Sequence, residues 1–181
     1  KFRGQNISYG AIMIPFLIPE IILAVAILVI WLSLGFKLGL VPVTLGHILF
    51  CTPFAMLILI ARIEGFDFSL EEASRDLGEN AWGTFYRVSL PLYLPGIIAS
   101  LLLSFIISFD EFVLAFFLTG SDATLPMYMW AQMRFIQKLP HVLALGAVII
   151  VFTTFIVLLA FWLRNLGQGK EKAEFGIKIH E

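Results

Sequence analysis

Charge is scarce in this sequence. Only 14% of its residues are Asp, Glu, Lys or Arg, where an ordinary soluble domain carries about 25%. The two signs nearly cancel, leaving a net charge of −1, so no basic surplus points to nucleic acid. Cys51 is the only cysteine. That excludes an intrachain disulfide framework or a thiolate metal cluster, and a lone thiol in an apolar run reads as buried and inert. No glycine-rich phosphate loop ending in Gly-Lys-Ser/Thr occurs, and no His-Glu-x-x-His. His47 has no second metal ligand near it in sequence and no nucleophilic partner, so it reads as an interhelical hydrogen-bonding group. An intramembrane enzyme would need paired catalytic groups at membrane depth; neither a glycine-flanked serine nor facing aspartates stand out. No catalytic residue, metal ligand or cofactor site is assigned to the chain.

What is abundant is apolar sequence, 60% of 181 residues, gathered into long blocks. A membrane helix needs about 20 mostly apolar residues. Four stretches qualify: 12–34, 41–61, 92–118 and 141–163. The expected fold is all-α, a polytopic membrane helical bundle forming one domain over 1–181. Pro15, Pro19, Pro42, Pro53, Pro91, Pro95 and Gly96 fall in or beside these stretches. Such residues are tolerated where neighbouring helices satisfy the freed backbone groups, so kinked helices in a larger bundle are expected. Trp31, Trp130 and Trp162 fit interfacial anchoring.

Basic residues set the orientation. With both ends of the chain in the cytoplasm, the inside holds Lys1, Arg3, Arg62, Arg75, Arg87, Arg164, Lys170, Lys172 and Lys178; the outside holds Lys37, Arg134 and Lys138. The long charged link 62–91 then lies in the cytoplasm. The opening Lys1-Phe2-Arg3-Gly4 has no signal-peptide pattern and reads as the end of a basic loop in a longer protein.

Within that link, Ser69 followed by Glu72 has capping-box spacing and predicts a helix start. Leu70, Ala73 and Leu77 share one face, and Gly78 supplies a left-handed stop. The helix would be about ten residues, roughly 15 Å, long. A second short helix, capped by Asn80, would place Trp82, Phe85 and Tyr86 against a partner or the lipid interface. Leu90-Pro91 turns the chain back into the membrane.

The segment Glu72-Ala73-Ser74, three residues, Gly78, nine residues, Val88-Ser89-Leu90-Pro91 resembles the EAA loop of ABC importer permeases. The family pattern is Glu-Ala-Ala, three residues, Gly, nine residues, Ile-any-Leu-Pro. Both spacings match; Ser74 and Val88 are conservative departures. The resemblance implies a coupling helix that docks on a cytoplasmic ATPase subunit, with Glu72, Ala73, Ser74, Gly78, Val88, Leu90 and Pro91 in that role. It implies that ATP is bound by a separate ATP-binding subunit dimer, that a second permease completes the pathway, and that an external substrate-binding protein delivers the solute, with 121–139 part of its docking surface. Six membrane helices are usual in such permeases; four are visible here, so the first two are expected to precede this chain. The location implied is the inner membrane.

Ionisable residues inside spans mark function by default. Glu20, Asp110 and Glu111 are the candidates for the substrate pathway, and no Lys or Arg sits deep in a span. That lining favours a cation. Phe2-Arg3-Gly4, Pro19-Glu20-Ile21-Ile22 and Ser108-Phe109-Asp110-Glu111-Phe112-Val113, ending at Thr119-Gly120, resemble the second permease of spermidine/putrescine importers. Carboxylates would pair with the ammonium groups of a polyamine, and Phe109, Phe112, Phe116 and Tyr128 would offer aromatic faces. Asp110 and Glu111 differ by about 100° of helix rotation, so both need not face one pathway. Two other readings stand beside this one: an ABC permease for a different small solute, and an ion-coupled secondary transporter or channel, which would have no use for an EAA-type loop.

Overall fold

The computed structural model describes residues 4–177, with the backbone alone for Asn6 and for 163–177. Lys1, Phe2, Arg3 and Lys178, which entered the charge tally or the resemblance, lie outside the described residues, as do the side chains of Arg164, Lys170 and Lys172. Every regular element among the described residues is helical. Three helical stretches are long and apolar enough to cross a membrane, Leu40–Glu64, Ala81–Asp110 and Ile136–Trp162, and a bent pair near the N-terminus makes a fourth if it counts as one span.

That pair is α1 (Gln5–Leu17) and α2 (Glu20–Ser33). The stretch expected as one span over 12–34 bends by 105° between them. Pro19 is the cause. Its ring forces the preceding residue out of the helical region, and Ile18 is extended at φ −88° and ψ 133°. Pro19 itself stands at the N-cap of α2, where a missing N–H costs nothing. Next come α3 (Leu40–Glu64), α4 (Ser69–Asp76), α5 (Ala81–Thr84) and a π-helical turn over Phe85–Ser89. They are followed by α6 (Leu90–Asp110), α7 (Val113–Leu118), α8 (Leu125–Gln132), a 3-10 turn over Ile136–Lys138 and α9 (Leu139–Ile177).

The expected third span, 92–118, needs correcting at both ends. The helix begins upstream, because α5, the π turn and α6 run on as one stretch from Ala81. It stops at Asp110, and α7 is a separate short helix. Hydropathy cannot register this break, since 111–118 is as apolar as what precedes it. Packing decides it: Leu114, Ala115 and Leu118 are fully buried.

The chain forms two compact units. Among the described residues, the first comprises 4–54 and 104–153. Its core is Ala24 of α2, Val43 of α3, and Leu114, Ala115 and Leu118 of α7, with Ile27, Leu28, Phe50, Phe117 and Met127 packed around them. Gly46 of α3 lets α7 approach closely, for a Cβ there would sit 3.0 Å from Leu118. The second unit comprises 55–103 and 154–177. It holds α4, α5 and the π turn, with Thr84, Ser89, Gly96, Ala99, Ser100 and Ala160 buried.

Candidate functional site

In the second unit, the charged link is a structured segment. The expected helix is there, over Ser69–Asp76, but its start differs. Ser69 does not cap with its side chain; Phe68 occupies the N-cap, and Asp67 Oδ1 accepts from the Ser69 amide at 3.0 Å. This is an Asx turn set two residues earlier than the capping-box reading. The Ser69 hydroxyl and amide together hold the Asp67 carboxyl below the usual carboxylate range. A carboxylate at this end also suits the helix dipole.

The stop follows the sequence. Gly78 has φ +91°; its N–H donates to Arg75 O at 2.9 Å and the Glu79 N–H to Ser74 O at 3.2 Å. These two bonds are the Schellman pattern, which satisfies the last carbonyls of α4. Asn80 then caps α5, accepting from Gly83 N at 2.8 Å. The π turn follows, with Leu90 N donating to Phe85 O, just before Pro91.

Side-chain bonds tie these pieces together. Ser74 and Thr84 hydroxyls lie 3.2 Å apart, the Ser89 hydroxyl donates to Glu71 Oε1 at 2.6 Å, and Arg87 pairs with Glu79. Thr84 and Ser89 are buried. The seven residues of the EAA-like pattern thus divide by position. Glu72, Ala73 and Pro91 are exposed, Ser74 turns inward to Thr84, Gly78 ends the helix in the open, and Val88 and Leu90 are half-buried. Leu77 is 88% exposed and Trp82 71%, with Trp82 stacked on Tyr86 at 6.1 Å. Glu72, Ala73, Leu77 and Trp82 are therefore all exposed, on a segment held together by the bonds above.

In the first unit, the three candidate acids are not equivalent. Glu20 is the first residue of α2 and half-buried. Glu111 is only 7% exposed, and its Oε1 accepts from Leu114 N at 2.6 Å. The Glu20 carboxyl lies within hydrogen-bond reach of it. Glu111 therefore caps α7 and faces Glu20 rather than an open hollow. Asp110 is exposed and lines a cavity of 360 Å³ with Phe109, Phe112, Met129, Trp130 and Met133. One carboxylate among aromatic and thioether groups is a setting for an organic cation.

Two aromatic assignments change. Tyr128 lines a different cavity, beside Gln132, Lys138 and His141. Trp130, assigned to anchoring, joins the Asp110 cavity, and Arg134 lies 4.3 Å from its ring centroid. Phe116 packs on Phe112 and Trp130 at 5.6 and 5.5 Å. His47 Nδ1 lies 2.8 Å from the Ser108 hydroxyl, the interhelical pairing expected of it. Arg62, Glu71 and Asp67 are the structural residues that motif spacing missed. Arg62 was visible only as a lone cation closing an apolar run; its partner is 30 residues away.

Comparison with known proteins fits this arrangement. Residues 1–169 match the family described as binding-protein-dependent transport system inner membrane component. The chain is 32% identical over 177 residues to the spermidine/putrescine transport system permease protein PotC of Escherichia coli K12, covering 97% of this chain and 66% of that protein. Similarity to the PotC protein of Haemophilus influenzae is 33% over 161 residues, 88% of this chain and 62% of the relative. The putrescine transport system permease protein PotI of Escherichia coli K12 is 33% identical over 141 residues, 74% of this chain and 50% of its own length. The chain thus spans 66% or less of each relative's length. With its apolar span-length helices, the chain is a multi-pass membrane protein and belongs to the binding-protein-dependent transport system inner membrane component family.

Proposed function

We propose that this chain is the membrane-spanning part of an ATP-driven importer that carries polyamines, and that it has no catalytic role of its own. The observation that carries the reading is α4. Its Glu72-Ala73 face is open, its end is fixed at Gly78, and it is braced by hydrogen bonds to Thr84 and Ser89. A free helix on a rigid frame between two span-length helices suits a handle gripped by a separate ATPase subunit. Both ends of the chain would lie in the cytoplasm, with 62–91 on that side. A second permease subunit would complete the pathway, and an external binding protein would deliver substrate to the link 121–139. ATP binding and hydrolysis would belong to the ATPase subunits.

The substrate class rests on two supports. The relatives named above are spermidine/putrescine and putrescine permeases, and Asp110 faces a cavity with three aromatic rings. An ammonium group there would pair with the carboxylate, and the methylene stem would lie on Phe109 and Phe112. Glu20 and Glu111 would act on the pathway through the bend between α1 and α2.

The test is uptake of labelled putrescine, spermidine and sulfate by cells expressing the full-length protein with its partner subunits, beside an Asp110→Asn version. ATP-dependent polyamine uptake that falls in the variant supports the reading. Uptake of sulfate alone would replace the substrate class. Uptake that persists without the ATPase subunit would replace the importer with a channel or secondary transporter.

A further inference from the structure

The ends of the coupling segment are joined by one side chain. Arg62 lies in the last turn of α3, just before the link, and Leu92 in the first turn of α6, just after it. Arg62 Nε and Nη2 both donate to Leu92 O, at 3.2 and 3.1 Å. Both residues belong to the second unit. The stem is seated as closely as the head. A Cβ built on Gly96 would fall 2.8 Å from Arg62 Cγ and 3.0 Å from Cβ, so the stem lies across a bare stretch of α6 that only glycine provides. Pro95 stands beside it inside α6. Pro95 has no N–H to give the Pro91 carbonyl, the neighbour of the Leu92 carbonyl that the guanidinium grips.

We infer that Arg62 is a positioning residue for coupling, clamping the C-terminal end of α3 to the first turn of α6 so that the segment between them drives both helices together. The inference rests on the coupling role proposed above for 62–91. A hinged loop with two loose ends would absorb a push within its own backbone. A loop whose ends are bonded to each other transmits it, because two donors on one planar fork fix direction as well as distance. The bonds inside the segment, Ser74 with Thr84 and Ser89 with Glu71, stiffen the handle; Arg62 fixes what the handle pulls on.

The experiment uses the full-length protein assembled with its partner permease and ATPase subunits in vesicles. It reads labelled spermidine transported per ATP hydrolysed, and basal ATPase rate separately. Arg62→Gln should leave assembly and basal hydrolysis within about twofold, and lower transport per ATP about tenfold, the scale of one charge-assisted hydrogen bond. Arg62→Lys keeps the charge and most of the stem but not the fork, and should fall between. Gly96→Ala leaves the arginine in place yet displaces its stem, and should reproduce the Arg62→Gln defect. The double variant should be no worse than either single one, as expected for one shared contact.

An unchanged transport-to-ATP ratio in Arg62→Gln overturns the inference. So does a full rescue by Lys, which would leave charge alone as the role. If Arg62→Gln fails to assemble, Gly96→Ala decides: normal coupling there rejects the clamp. Failure of the underlying reading looks different. A cysteine placed at Glu72 would then not cross-link to the ATPase subunit in the otherwise unaltered complex.

Discussion

The Ser89 hydroxyl donates to the Glu71 carboxylate at 2.6 Å, joining the π turn to the first turn of α4 across 18 residues. Ser89 is 2% exposed. The helix that presents Glu72 and Ala73 is thus held from behind by a polar contact whose hydroxyl is buried and whose carboxylate is half-buried. Losing the hydroxyl leaves a carboxylate that water and Arg75, 3.9 Å away, still reach, so the cost is that of one hydrogen bond to a charged group.

Ser89→Ala should therefore cost about 1–3 kcal/mol locally. Amide exchange in 69–76 should speed up while exchange in the span-length helices stays as it was. Unchanged protection of α4 would mean that Glu71 finds another donor.

Gly78→Val should strain the stop of α4. Nothing lies within 4 Å of a Cβ at Gly78, so the cost comes from φ +91° alone. A β-carbon in the left-handed region costs roughly 1–2 kcal/mol. Gly78→Asn, which tolerates that region, should be nearly neutral. Substrate-stimulated ATPase activity of the assembled complex should fall in the valine variant and hold in the asparagine one. Equal activity in all three would remove the stop from the coupling role.

Asp67 gives a pH signature at the other end of α4. Its folded pKa lies below the ordinary carboxylate value because the Ser69 hydroxyl and amide donate to it. Its support for the helix start is then complete above the ordinary Asp value and is lost as pH falls through the lowered one. Protection of the Ser69 amide, corrected for intrinsic exchange, should decline over that window. In Asp67→Asn it should show no such step.

Glu111 should prove structural before it proves functional. Its carboxyl oxygen holds the Leu114 amide at the start of α7, and Leu114 is fully buried. Glu111→Ala should destabilise by about 1–3 kcal/mol, the cost of an orphaned buried amide. Glu111→Gln keeps an acceptor and should stay closer to the parent. Thermal unfolding in detergent distinguishes them, and a fully stable alanine variant would remove the capping role.

Trp130 tests the Asp110 cavity. Trp130→Leu preserves apolar bulk but removes the ring, and cation–π contacts are worth about 0.5–2 kcal/mol. Apparent affinity for spermidine should weaken while complex assembly is unaffected. No change would restrict the aromatic contribution to Phe109 and Phe112.

By itself, the sequence determined the helical class, the stretches that suit a bilayer and the place of the charged link. These depend on local quantities: apolar run length, breaker residues and motif spacing. The stop at Gly78 and the Asn80 cap are equally local, because a single residue supplies each; the bend at Pro19 has a local cause too, but hydropathy reads 12–34 as one span. Only the tertiary structure decided what depends on contacts distant in sequence. It ended α6 at Asp110 by burying Leu114 and Leu118 in the core with α2 and α3. It turned Glu111 toward Glu20 and left Asp110 facing a cavity, although the two acids are adjacent. It joined Arg62 to Leu92 and Ser89 to Glu71. Hydropathy reports how much a residue gains by leaving water; it carries no record of which neighbour the residue then meets.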